Sequence, residues 1–136
     1  MIEKEQMDAL FLEARKIAEM AYAPYSKFRV GAALLCEDGS VITGVNVENR
    51  SFGMTICAER NAVTTAITSG HRRFLALAIS TPDSSEPVGP CGACRQVISE
   101  FMPPETPVRF SGSGQNQVNT TVGELLPWDS LHDLKS

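Results

Sequence analysis

The sequence predicts an α/β protein in which a mixed sheet is layered between helices. Three observations carry that expectation: apolar residues at three- and four-residue spacing from Met7, apolar segments on both sides of an Asp-Gly pair, and a later alternation of strand-length apolar runs with helix-period segments. That order of elements fits neither a pure helical bundle nor a sandwich.

The first helix places Met7, Leu10, Phe11, Ala14, Ile17, Ala18 and Ala21 on one face. It is expected to end near Tyr22, because Pro24 disfavours the α conformation at Ala23. Phe28 to Cys36 and Val41 to Val47 flank Glu37-Asp38-Gly39-Ser40 and read as a hairpin. The stretch 46–55 has neither period and reads as a loop leaving the sheet. Residues 57–69 carry a helical pattern with Ala58, Ala62, Val63, Ala66 and Ile67 on one side, stopped by Gly70. Phe74 to Ile79 is continuously apolar, as suits a central strand covered on both faces. A Pro- and Gly-rich loop follows from Thr81 to Pro90. Cys91 to Phe101 is helical, with Pro103-Pro104 as its stop. Pro107 to Phe110 and about Gln117 to Thr120 are weaker strands, and Thr121-Val122-Gly123-Glu124 fits a capping box before a short helix closed by Pro127.

The 136 residues suit a single domain over residues 1–136, and 43% apolar composition suffices for a core without disulfides. Twelve basic against sixteen acidic residues give a net charge near −4, which offers no basic field to track a phosphate backbone, so nucleic acid is not the expected partner. No apolar run approaches the roughly 20 residues of a membrane span, and the start Met1-Ile2-Glu3-Lys4-Glu5 is unlike a signal peptide. A cytoplasmic protein is expected, in which the thiols of Cys36, Cys57, Cys91 and Cys94 stay reduced and are suited to metal binding or catalysis.

Cys57-Ala58-Glu59 and Pro90-Cys91-Gly92-Ala93-Cys94 both place thiols at the start of an expected helix, where the dipole and free N–H groups favour thiolate. Taken alone, the Cys-x-x-Cys pair admits a zinc site, a thioredoxin-like redox pair or two buried cysteines. The Cys57-x-Glu59 segment favours zinc, because a redox pair needs no separate thiol and acid. Three thiolates leave one tetrahedral position open, the pattern of a catalytic site, whereas a structural site closes with four ligands. Cys36, His71 or His132 could supply the fourth, but none lies near these segments in sequence. Glu59 could pass a proton from water to substrate, or simply complement the helix dipole. Arg60 could draw charge from the sulfurs, or be a surface arginine.

The segments APYSKFRVGAALL (23–35), GVNVEN (44–49), CAERNA (57–62), PCGACRQVISEF (90–101) and ELLP (124–127) extend over nearly the whole chain. In them the chain resembles the short, free-nucleoside cytidine deaminases. The resemblance implies a three-layer α/β/α sandwich with a five-stranded mixed sheet, and one zinc ion per subunit held by Cys57, Cys91 and Cys94. It also implies a homotetramer with its sites at subunit contacts. Glu59 would be the proton shuttle, Asn46 and Glu48 would hold the ribose hydroxyls, Phe28 would pack against the base, and Ala58 would join them in binding substrate. The implied activity is hydrolytic deamination of cytidine and 2′-deoxycytidine in pyrimidine salvage. Two features depart from the family pattern. The tail LLPWDSLHDLKS is compressed and offers only Trp128 as the aromatic that reaches a neighbouring subunit's site, and Arg50 stands beside the sugar-binding loop where a small residue is commoner. The alternatives are a deaminase of a modified nucleoside such as blasticidin S, an oligonucleotide-editing deaminase, which the charge disfavours, and a non-catalytic, zinc-stabilised nucleoside binder.

Overall fold

The computed structural model describes residues 2–131 and Leu134. The elements run α1 (Lys4–Ala18), β1 (Gly31–Cys36), β2 (Val41–Val45), a single 3₁₀ turn (Phe52–Met54), α2 (Ala58–Thr68), β3 (Phe74–Ser80), α3 (Gly92–Phe101), β4 (Pro107–Ser111), β5 (Gln117–Thr121) and α4 (Val122–Leu125). The five strands form one sheet in the order β2-β1-β3-β4-β5. Only β3 and β4 are parallel, joined by α3 as a crossover, and the other neighbours are antiparallel. The expected mixed sheet between helices is therefore the observed one.

Side-chain alternation along the strands separates two cores. Ala33, Ala76 and Ala78 face α1 and meet Met7, Leu10, Phe11 and Ala14. The residues between them turn the other way: Ala32, Leu34, Leu77, Ile79, Val108 and Phe110 pack with Ala62, Val63 and Ala66 of α2 and Ile98 of α3. From Ala76 on, the central β3 is covered on both faces, which is why residues 74–79 read as an unbroken apolar run, with Leu75 alone exposed.

Close approach fixes where α2 lies. At Gly44 of β2, a Cβ would stand 2.4 Å from the backbone nitrogen of Ala62 and 2.6 Å from the carbonyl oxygen of Ala58, so only glycine lets this helix rest on the sheet. Gly70, at φ +97°, then ends the C-terminal turn of α2.

Four boundaries depart from the sequence reading. Helix α1 stops at Ala18, leaving Ala21 and Tyr22 outside it, because Tyr22 turns away to pair through its backbone with Asn46 and Glu48. Strand β1 starts at Gly31 and not Phe28, since residues 28–30 take hydrogen bonds from and to side chains in place of a full ladder. Strand β2 stops at Val45, while Val47 makes isolated bridges to Tyr22 and Ile56. At α4 half of the expected capping box forms: the Thr121 hydroxyl accepts from the Glu124 N–H, but the Glu124 carboxylate accepts from the Thr120 and Thr121 hydroxyls and not from the Thr121 backbone.

Candidate active site

Cys57 and Cys91 are the N-cap residues of α2 and α3, in extended conformation, and the two helix starts meet at one edge of the core. The Cys57 and Cys91 Sγ atoms are 4.0 Å apart, and with Cys94 all three sulfurs lie within 4.8 Å of one another. Tetrahedral zinc with sulfur at about 2.3 Å requires sulfurs about 3.8 Å apart, so small adjustments close the three thiols on one ion. Among the described residues no His, Cys, Asp or Glu adds a fourth ligand atom to this group. Cys36 lies at the opposite end of the sheet, beside Phe74 at the start of β3, and His71 sits near Asp38 of the hairpin turn. His132 lies outside the described residues.

Arg60 reaches back one turn and donates from Nη2 to Cys57 Sγ over 3.4 Å. Its Nε is buried without a hydrogen-bond partner, a donor that negative charge at the sulfurs would attract. Hydrogen bonding with Cys94, then with Arg60, holds the Cys57 thiol below its ordinary pKa, whereas the thiol of Cys94 is pushed up by sharing its proton with Cys57 and by burial. The shift at Cys57 favours the thiolate that a metal needs, and a cation bound at the cluster would displace the proton of Cys94. Donor type, spacing and charge all fit zinc.

Glu59 is the second residue of α2 and is 5% exposed. Burial pushes its carboxyl up to about 7; a hydrogen bond from its own backbone opposes this, and the charge of Cys57 adds to it. A cation at the thiols would draw it back down.

Glu59, Cys57 and Cys91 open into a cavity of about 180 Å³. Cys57, Ala58, Glu59 and Cys91 line one part of it; Phe28, Val30 and Ile79 give apolar wall, and Val88 and Gly89 approach from the loop that leads to Cys91. Asn46 also lines it, with its amide tied at both ends: Oδ1 accepts from the Val30 N–H over 2.9 Å and Nδ2 donates to the Phe28 carbonyl over 2.8 Å. Glu48 is not part of that lining. Its carboxylate accepts from the Tyr25 and Ser26 N–H groups over 3.0 and 3.1 Å and from the Ser26 hydroxyl, holding the segment before Phe28 in place. Arg50 is exposed. Trp128 is 97% exposed with φ +59°, and borders a separate groove with Leu126 and Pro127. Of the expected residues, the structure gathers Phe28, Asn46, Cys57, Ala58, Glu59, Arg60, Cys91 and Cys94 in one place. Sequence reasoning missed Val30, Thr55, Ile79, Thr81, Val88 and Gly89. Val88-Gly89 could have been found from their position just before Pro90-Cys91; the others lacked any local signal.

An α/β/α sandwich with a three-thiolate zinc site and a buried carboxylate beside it defines the zinc-dependent deaminase class. The family model "Cytidine and deoxycytidylate deaminase zinc-binding region" matches residues 4–109, and the chain belongs to that family. It is 51% identical over 119 residues to the cytidine deaminase of Halalkalibacterium halodurans, covering 87% of this chain and 89% of that protein. It is 50% identical over 121 residues to the cytidine deaminase of Sporosarcina psychrophila, covering 89% and 88%. The crystal structure of cytidine deaminase from Burkholderia pseudomallei superposes with a TM-score of 0.85 at 44% identity, covering 89% of this chain and 96% of that one.

Proposed function

We propose that the protein catalyses the hydrolytic deamination of cytidine and 2′-deoxycytidine to uridine and 2′-deoxyuridine, with release of ammonia. The observation that carries this reading is the buried Glu59 carboxylate in one cavity with Cys57, Cys91, Phe28 and Asn46. Zinc held by Cys57, Cys91 and Cys94 supplies the Lewis acidity that makes water a nucleophile near neutral pH. Glu59 takes a proton from the attacking water and delivers it to ring N3 as the water oxygen bonds to C4. It then carries the second proton to the 4-amino nitrogen, the C4–N bond breaks, and ammonia leaves a C4 carbonyl behind. Arg60 draws charge from the sulfurs, so that three thiolates do not blunt the metal's acidity.

In this reading Phe28 and Ala58 flank the base, and Asn46 and Glu48 meet the ribose hydroxyls. A carboxylate has about four acceptor positions. Three donors occupy Glu48, which leaves one for a hydroxyl and arrives already oriented. The chain works as a cytoplasmic homotetramer in pyrimidine salvage. Support for the assembly is the apolar surface of Tyr22, Tyr25, Phe52, Met54 and Ile56, all more than 40% exposed on one chain, and the solvent-facing Trp128 available to a neighbour's site.

The deciding experiment is Glu59→Gln, assayed spectrophotometrically on cytidine with zinc analysis of the same sample, and with blasticidin S as a second substrate. The expected result is one zinc per chain with turnover lowered roughly 10²- to 10⁴-fold. Unchanged turnover removes the shuttle role. Absent wild-type activity on cytidine, or a strong preference for blasticidin S, rejects the nucleoside assignment.

A further inference from the structure

The cavity has two walls that no regular element joins. One is the segment Phe28-Arg29-Val30, ahead of β1, and the other is Val88-Gly89 in the long loop between β3 and α3. In an extended segment alternate side chains point to opposite sides, so Phe28 and Val30 line the cavity while Arg29 points away from it. The segment has no full ladder, and side chains take its place on both edges. Asn46 holds one edge through the Phe28 carbonyl and the Val30 N–H; Asp83 holds the other, accepting from the Arg29 N–H over 2.8 Å.

Asp83 does more than accept that bond. Its carboxylate receives the Arg29 guanidinium as a fork, Nε to Oδ2 over 3.0 Å and Nη2 to Oδ1 over 2.7 Å, the bidentate geometry that fixes direction as well as distance. The remaining Nη1 donates to Glu19 over 2.9 Å, just past the end of α1. Arg29 and Asp83 are 35% and 26% exposed, so solvent screens the pair only in part. Downstream of Asp83 the loop is fastened again. The Ser113 and Gly114 N–H groups donate to the carbonyls of Ser84 and Ser85 over 2.7 and 3.1 Å. A Cβ at Gly112 would fall 2.1 Å from the Ser84 carbonyl oxygen, so the loop lies directly on the β4–β5 turn. The second wall is therefore a fixed platform, and Arg29 locks the first wall to it.

We propose that Arg29 and Asp83 are a positioning pair that sets the width of the substrate cavity by holding the Phe28–Val30 wall against the loop carrying Val88 and Gly89. The inference rests on the deaminase reading above and adds residues to it that touch neither metal nor substrate. Its consequence is selective. The thiols and Glu59 hang on α2 and α3, which the pair does not touch, so its loss loosens substrate binding and leaves the chemical step alone.

The test is steady-state kinetics on cytidine for the full chain with Arg29→Ala, Asp83→Ala, both together, and the milder Asp83→Asn and Arg29→Lys. Zinc analysis and hydrogen exchange over residues 26–31 and 82–90 accompany the kinetics. Each alanine variant is expected to keep one zinc per chain and kcat within about twofold, while KM rises roughly tenfold, the scale of one charge-assisted bond. The double variant should be no worse than Asp83→Ala, since that change already removes both the guanidinium fork and the Arg29 N–H bond. Arg29→Lys should recover part of the loss, because it keeps the charge without the fork. Unchanged KM, or equal losses in kcat and zinc, overturns the positioning role even where the wild type is active. A wild type inactive on cytidine rejects the deaminase reading separately; hydrogen exchange then still decides the clamp, and protection unchanged in Asp83→Ala or Asp83→Asn overturns it.

Discussion

Gly44→Ala tests whether the close seat of α2 on β2 is what holds the site together. The added methyl would stand 2.4 Å from the Ala62 nitrogen, 2.6 Å from the Ala58 carbonyl oxygen and 3.0 Å from the Ala62 Cα. All three are backbone atoms that no rotamer change can move aside, and the first contact is about 1 Å short of ordinary van der Waals distance. The helix must therefore lift from the sheet, and it carries Cys57 at its N-cap and Glu59 in its first turn. Overpacking of this kind costs about 3 kcal/mol, and a chain of this size should lose about 10 °C in Tm. Displacement of about 1 Å at reacting groups costs roughly 10²-fold in kcat/KM. Thermal unfolding, zinc stoichiometry and cytidine kinetics on one preparation measure all three effects. A variant with Tm within about 2 °C of wild type and kcat/KM within about twofold would refute the reasoning.

Two further outcomes are expected. Cys91→Ala should lose stoichiometric zinc and folding stability together, since zinc held by these thiols would tie α2 to α3, whereas Cys36→Ala should keep its zinc and cost only about 1 kcal/mol of core packing; chelator titration beside urea unfolding separates the two. The hydrogen bonds and charge of Arg29 hold the Asp83 carboxyl down to about 2, below the roughly 3.9 of an unfolded chain. A depressed carboxyl contributes stability that is complete above its unfolded value and is lost as pH falls through its folded value. The stability difference between wild type and Asp83→Asn should therefore hold steady above about pH 5 and close progressively between about pH 5 and pH 1. Urea midpoints at stepped pH measure it, and a gap as wide at about pH 2 as at about pH 6 contradicts the ion pair.

What the sequence made legible is local in range. The face of α1 shows in Met7, Leu10, Phe11 and Ala14, and the two-sided burial of β3 shows in its unbroken apolar run, because each is set by a period within one element. Boundaries failed where a distant partner intervened. Pro24 would allow α1 to continue to Tyr22, but backbone bonds to Asn46 and Glu48, more than twenty residues later, pull Tyr22 out of the helix. The sugar-binding role expected of Glu48 came from the family resemblance, and its hold on Tyr25 and Ser26 had no signal in the sequence. The same holds for Arg29 with Asp83, 54 residues apart, and for buried Arg109, which reaches Asp8 across 101 residues. No spacing rule encodes such pairs.

The metal site escapes this limit because its geometry is a capping geometry used twice. Cys57 and Cys91 are both N-caps, and in each case the residue three positions on turns back to the cap sulfur: Arg60 through its guanidinium over 3.4 Å, Cys94 through its backbone N–H over 3.5 Å. An N-cap and its third residue meet in any helix start, which is the relation that makes a capping box. Cys-x-x-Cys and Cys-x-x-Arg are that relation with sulfur as the acceptor. Each half of the cluster is thus specified by four consecutive residues, and folding has only to bring two helix starts together, a task performed by the approach of α2 at Gly44 and by the β3-α3-β4 crossover. The cavity walls have no such local unit. Phe28 and Val88 face one another only because separate loops are fastened across the fold, so the chemistry of this chain is readable from short motifs while the shape that admits a substrate is not.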